Sequence, residues 1–177
     1  MILKSKKTIL RPIRISDAAI MTRWYSDPEI YRYISGKKTT LARQKKQIGL
    51  SMKEKDVNNF IIETEEGLPI GQLIFFIDKQ NDSGSFGMAI GDKKYWGGGY
   101  ARDAAKTIVK YGFEKLSLNQ IHLAGNGTCE KNSSAIKTAE SLGFIREGLH
   151  RDRKKLDGKY HNMIPMSILA KEWKNKK

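Results

Sequence analysis

Three consecutive glycines, Gly97-Gly98-Gly99, join an alternating segment to a helical one, and this junction constrains the fold more than any other stretch. Before it, Phe86, Met88 and Ile90 alternate with Ser85, Gly87 and Ala89, the period of a strand with one apolar face. After it, Ala101, Ala104, Ala105, Ile108, Val109 and Leu116 recur at helical spacing. With no Cβ in the way, such a loop lets backbone N–H groups approach a ligand, and the following helix turns its positive end to the same place. The junction reads as a cradle for pyrophosphate, and so for a nucleotide-bearing cofactor; the plainer alternative is a flexible surface loop. Two common phosphate motifs do not fit. A P-loop needs Lys and Ser or Thr after the last glycine, where Tyr100 and Ala101 stand. A dinucleotide fingerprint read from Gly97 needs Gly or Ala where Arg102 stands.

Composition narrows the class. A chain of 177 residues is expected to form one domain spanning 1–177, long enough for a substantial core. No apolar run approaches transmembrane length, and Met1-Ile2-Leu3-Lys4 lacks the apolar centre of a signal peptide, so a cytoplasmic location is expected, with no membrane partner. The lone Cys129 excludes an internal disulfide framework and argues against a cysteine-based zinc site, so no metal is expected. The formal net charge is +14, spread over Lys4/Lys6/Lys7, Lys37/Lys38, Lys45/Lys46, Arg151/Arg153/Lys154/Lys155 and Lys174/Lys176/Lys177. That charge fits attraction for an anionic cofactor or acidic acceptor, or a solvated basic surface without a partner. A basic RNA- or ribosome-binding module would rest on charge alone, without a nucleic-acid motif or stacking aromatics, so direct nucleic-acid binding is not expected.

The coarse element pattern is α/β, in the stricter sense α+β: a mixed, mostly antiparallel sheet covered by helices. Strands are expected over 8–14, 59–64, 70–77, 120–124, 144–155 and 160–170. Helices are expected over 18–25, 29–34, 41–53 and 133–142, the last ended by Gly143. Gly67 with Pro69, and Asn81-Asp82-Ser83-Gly84, mark turns.

Lys94-Tyr95-Trp96-Gly97-Gly98-Gly99 resembles the acetyl-CoA loop of the GNAT N-acetyltransferases, Gln/Arg-x-x-Gly-x-Gly/Ala, with Lys94 a conservative departure at the first position. The likeness runs along nearly the whole chain. Thr8-Ile9-Leu10-Arg11-Pro12 resembles the opening strand. Asn132-Ser133-Ser134-Ala135-Ile136 and Ser141-Leu142-Gly143-Phe144 with Glu147-Gly148 resemble a second block, and Asp157-Gly158-Lys159-Tyr160-His161 resembles the closing hairpin. More narrowly, the chain looks like the RimJ/RimL-type branch, which acetylates protein N-termini and, in relatives, small amines. The resemblance implies a sheet whose central parallel strands splay apart, with acetyl-CoA entering the gap. It implies that Met88, Ala89 and Ile90 offer strand backbone to the thioester, that Gly97, Gly98, Gly99, Tyr100 and Ala101 hold pyrophosphate, and that Asn132 serves the pantetheine arm unless it is only a helix cap. Lys94 and Trp96 complete that set. Acetyl would pass to a primary amine, on a protein N-terminus (ribosomal or other) or a small molecule; a homodimer is left open.

Two positions depart from the family pattern. Ala139 stands where relatives carry a tyrosine that protonates the leaving thiolate, and Ser85 where many carry a glutamate base. Neither substitute does the expected work, so the acid and base are unassigned. His122, His161 and Ser134 are the candidates, with Ser141, Cys129, Asp78 and Glu63 behind them; each also has an ordinary structural reading. A non-catalytic acyl-CoA-binding protein is the alternative these departures raise. Acceptor recognition is expected from the helices over 16–54, through Trp24, Tyr31 and Tyr33. A polyamine acceptor is disfavoured, because a +14 protein repels a polycation unless a local acidic pocket prevails.

Overall fold

The computed structural model describes residues 1–34, 38–156 and 158–174; Lys37, Asp157, Lys176 and Lys177, named above, lie outside the described residues. Its main sheet has eight strands in the order β1-β2-β3-β4-β5-β6-β11-β8. These are β1 (Leu3–Lys4), β2 (Thr8–Pro12), β3 (Val57–Thr64), β4 (Pro69–Asp78), β5 (Ser83–Ile90), β6 (Gln120–Leu123), β8 (Ile145–Arg146) and β11 (Met166–Leu169). Every pairing is antiparallel except β5 with β6. A smaller sheet carries β7 (Thr128–Cys129), β10 (Lys159–Ile164) and β9 (His150–Leu156).

Strand alternation divides the interior between the two faces of the main sheet. Phe60 and Ile62 of β3 join a large core with α4 (Tyr100–Glu114) and α5 (Ser133–Leu142), while Ile61 between them joins a second core under α1 (Ala18–Trp24) and α3 (Leu41–Ser51). Short α2 (Pro28–Tyr31) follows α1, and α6 (Ala170–Lys174) closes the described chain. Helix α4 shows why its sequence reads as it does: Ala104, Ala105, Ile108 and Val109 are fully or almost fully buried on one face, and the small alanines let the axis lie close to the sheet.

The two expected C-terminal strands, 144–155 and 160–170, are each two strands in different sheets. Gly148, at φ +152, breaks the first between β8 and β9. Pro165, which has no N–H for a ladder, breaks the second between β10 and β11. The helix expected over 29–34 is a single turn ending at Tyr31, and Ala170 begins α6 rather than ending a strand.

The β5–β6 pairing runs from Ser83↔Gln120 to Phe86↔Leu123 and stops. Strand β5 continues to Ile90 along β4, whereas the chain after β6 turns through Gly125, Asn126 and Gly127, all at positive φ, into β7 of the small sheet. A wedge-shaped gap therefore opens between residues 87–90 and residues 124–129. A Cβ on Gly127 would collide with the Ile164 carbonyl, so glycine is what lets the two sheets diverge with their backbones this close.

Candidate active site in the gap between parallel strands

Beyond Phe86, one edge of β5 has no strand partner among the described residues. The Phe86 carbonyl accepts from Ala124 N–H at 2.9 Å and the Ile90 carbonyl accepts from Trp96 Nε1 at 2.9 Å, both away from β4. Alternation then aims the peptide groups of Met88 into the gap with those of Ile90, and turns those of Ala89 toward Gln72 of β4. Of the three strand residues considered, Met88 and Ile90 face the gap.

Past Ile90 the chain packs tightly and then opens. A Cβ on Gly91 would collide with the Trp24 ring. Asp92 accepts from Lys94 N–H at 3.1 Å, shaping the turn that delivers Trp96 and the glycines. Gly97 and Gly99 sit at φ +75 and +81 with open space where a Cβ would be. Gly99 caps α4 without any side chain, and the first N–H that α4 uses internally in this turn is that of Asp103, which donates to Gly99 O at 3.0 Å. The N–H groups of Tyr100, Ala101 and Arg102 thus point outward at the positive end of the helix dipole, which suits an anion. Lys7 reaches the same loop, donating to Gly98 O at 3.1 Å and lying over the Tyr100 ring. Asp103 fixes that approach by accepting from Lys7 N–H, from Thr8 Oγ1 and from Ser5 Oγ. Arg102 ties the start of α4 to Ser141 of α5 at 3.0 Å. Lys94 is exposed.

The chain bridges the opposite mouth of the gap. Asp27 and Glu29 at the start of α2 both pair with Lys93, just past β5. The Lys93 hydrogen bond holds the Asp27 carboxyl below its ordinary range, and Asp27 with Glu29 raises Lys93. At the far end Lys154 of β9 donates to the carbonyls of Tyr33 (3.3 Å) and Ile34 (3.0 Å), and Tyr33 Oη donates to Lys131 O at 3.4 Å. Burial pushes the Lys154 ammonium down. Residues 27–34 thus span from the β5 side to the β7–β9 side.

The sequence-predicted residues separate clearly. Tyr33 packs on the small core of Cys129, Leu156 and Met163, and Tyr31 is half-buried within the bridge. Trp24 is 3% exposed in the core under α1, so it meets the site only through Gly91, and its Nε1 has no partner. Asn132 caps α5, its Oδ1 accepting from Ala135 N–H at 3.3 Å. Ala139 is buried in the large core and Ser134 is exposed. His161 faces Lys154 across the β9–β10 hairpin, with a buried, unpartnered Nδ1. Glu63 is committed to Arg11 at 2.6 Å, and Asp78 caps its own turn through Asn81 and Gln80. Ser85 and His122 are Cα partners beside the point where the gap opens. Gln72, Asn59 and Ser51 escaped the sequence reading, and they form a connected set with Tyr25: Tyr25 Oη donates to Gln72 (2.6 Å), Gln72 to Asn59 (2.8 Å) and Asn59 to Ser51 (3.1 Å). Burial pushes the Tyr25 phenol well up.

Residues 7–145 match the Acetyltransferase (GNAT) domain family. The chain belongs to the GNAT acetyltransferases. It is 32% identical over 178 residues to the uncharacterized N-acetyltransferase p20 of Bacillus licheniformis, covering 97% of each chain. A GNAT-family acetyltransferase from Bacillus anthracis superposes with a TM-score of 0.85 at 22% identity, over 97% of this chain and 100% of that one. A spermidine N-acetyltransferase from Vibrio cholerae, in complex with CoA and spermine, superposes at 0.84 with 21% identity, over 95% and 98%. The GNAT cofactor is acetyl-CoA, which supplies an acetyl group activated as a thioester. The residues present fit it: open left-handed glycines and an α4 start without a side-chain cap for pyrophosphate, and the gap-facing backbone of Met88, with the Ile90 N–H, for the acyl arm. The enzyme is an acetyl-CoA-dependent N-acetyltransferase with an amine acceptor.

Proposed function

We propose that this enzyme acetylates a primary amine of modest pKa, foremost the α-amino group of a polypeptide N-terminus, in the manner of the RimJ/RimL-type branch, with small amines of similar pKa as the other acceptors. One observation carries the reading: along the bridge that roofs the gap, both carboxylates, Asp27 and Glu29, are already paired with Lys93. A polyamine needs unpaired carboxylates to replace its water and to hold its several charges. An α-amine needs far less. With a pKa of about 7.7–8.0 it is about one-tenth neutral at pH 7, against about one part in three thousand for a lysine-type amine of pKa about 10.4. A site whose usual glutamate position holds Ser85 favours the acceptor that arrives partly deprotonated.

Free-thiol release from acetyl-CoA, followed against N-terminal peptides, small amines and spermidine, tests this directly. The expected result is the highest kcat/KM for α-amines, with mass-spectrometric fragmentation placing the acetyl group on the N-terminus. A preference for spermidine or for lysine side chains overturns it.

A further inference from the structure

On the face of the main sheet that carries α1, a row of polar side chains runs across β5, β6 and β11. Ser85 of β5, His122 of β6 and Ser167 of β11 are Cα partners across three adjacent strands. Their neighbours Phe86, Ile121, Leu123 and Ile168 belong to the large core, so alternation turns the row to the opposite face. Glu147, which follows β8, donates its N–H to Pro165 O at 2.9 Å and returns its carboxylate over β11, accepting from Ser167 Oγ at 2.6 Å. Gln120 Nε2 donates to the same hydroxyl at 3.3 Å. Ser167 is 5% exposed, whereas His122 is only half-buried. One register step beyond His122 the strands part, so the imidazole stands at the closed end of the gap.

We propose that His122 is the base that deprotonates the acceptor ammonium, and that Glu147, held by the Ser167 hydroxyl on the adjoining strand, is a positioning residue for it. This rests on the acceptor reading above. Of the other base candidates, Glu63 holds Arg11 and Asp78 caps its own turn, while His161 lies in the β9–β10 hairpin opposite Lys154, away from the β5–β6 pairing. Around the row, Ser85, Ser167 and Gln120 are neutral. Arg146, before Glu147, lies on the other face, where it pairs with Glu140 at 2.7 Å. The His122 Nδ1 lies 3.3 Å from the Leu123 carbonyl of its own strand, and Glu147 is the carboxylate that its Cα partner Ser167 holds.

The step balances without a hydroxyl at position 139. One ammonium N–H bond breaks as the imidazole nitrogen forms its own. The freed lone pair makes the C–N bond to the acetyl carbon, the C–S bond breaks, and its electron pair leaves on sulfur. The second amine proton reaches sulfur through water, and His122 returns its proton to solvent. The sum is ammonium plus thioester to amide, thiol and one proton. Thiolates are good leaving groups, the cysteine thiol ionising at about 8.5, so departure does not require an acid at Ala139.

The experiment pairs NMR with kinetics on His122→Gln, Glu147→Gln and Ser167→Ala. In the protein without cofactor, the His122 ring resonance is titrated with those of His150 and His161 as internal controls. Removing the Glu147 carboxylate is expected to move the His122 midpoint down while the controls stay. The acidic limb of kcat/KM should move down in parallel, and Ser167→Ala should move it the same way. His122→Gln should lose about 100-fold or more in kcat and flatten that limb, with calorimetric CoA affinity kept. A wild-type pH profile in His122→Gln, or a His122 midpoint indifferent to Glu147→Gln, overturns the proposal. The NMR titration stands even if no α-amine is turned over, so failure of the acceptor reading is told apart from failure of this one.

Discussion

Arg11 holds more of the N-terminal half in place than any other single side chain. Its guanidinium meets Asp17 through two bonds of 2.8 Å and Glu63 through one of 2.6 Å, and the three side chains are 12%, 9% and 15% exposed. This clamps β2 to β3 and to the turn before α1. Burial pushes the Asp17 carboxyl up, but the bonds from Arg11 and from Arg14 N–H outweigh it, and the net displacement is downward. A carboxyl lowered in the folded state gives stability that is complete above its unfolded value, about 3.9, and is lost as pH falls through the folded one. Arg11→Gln is expected to cost about 2–4 kcal/mol at neutral pH, because Asp17 is left buried without its partner. It should also flatten the decline in stability below about pH 4, since Asp17 no longer resists protonation. Denaturant midpoints of both proteins across that range check sign and size; equal acid slopes would separate Asp17 from the effect.

At the level of elements, α2 acts through its ends rather than its length. A four-residue helix has little stability of its own, so its place over the gap depends on Lys93 at one end and Lys154 at the other. Lys93→Ala is expected to leave Tm within error, because the Lys93 cluster is exposed, and to leave the KM for acetyl-CoA unchanged, while the acceptor KM rises several-fold. Equal changes in both KM values would mean that α2 does not touch acceptor selection. The same contrast of local and distant determinants explains what could be read from the chain. The glycine loop was legible because its requirement is local: Gly97 and Gly99 need positive φ, and no other residue adopts it as readily. The period-two pattern of β5 and the Asn132 and Gly143 ends of α5 were legible for the same reason. The division of the C-terminal strands was not, because where β10 yields to β11 depends on which sheet each half pairs with. Trp24 read as an acceptor-recognition residue because nothing in the sequence says that Gly91 will lie against its ring. Glu147 and Ser167 drew no attention as chemistry because the strand order β6-β11-β8 brings them to His122 only after the chain has folded.

For the whole molecule, the formal charge of +14 calls for a cause beyond the few cations that touch the loop. Lys7 and Arg102 are held at the cradle by Gly98 O and Ser141. Most of the other described lysines and arginines lie at the surface, where each contributes little at contact but all add to the field at the gap. Such a field acts at long range and so is screened, with a Debye length of about 10 Å at 0.1 M salt and about 3 Å at 1 M. The cofactor carries its phosphates into that field, whereas a small amine acceptor carries none. Stopped-flow association with acetyl-CoA is therefore expected to slow by about tenfold over that salt range, while single-turnover rates of the bound enzyme change little. Calorimetric enthalpies should vary little too, because contacts with Met88, Ile90 and the α4 N-terminus are short-range and local. An association rate indifferent to salt would detach the charge from cofactor capture and leave it to the acceptor. The acceptor case then reads out in the same instrument: KM for an acidic N-terminal peptide would climb with salt, and KM for a neutral peptide of the same first residues would not.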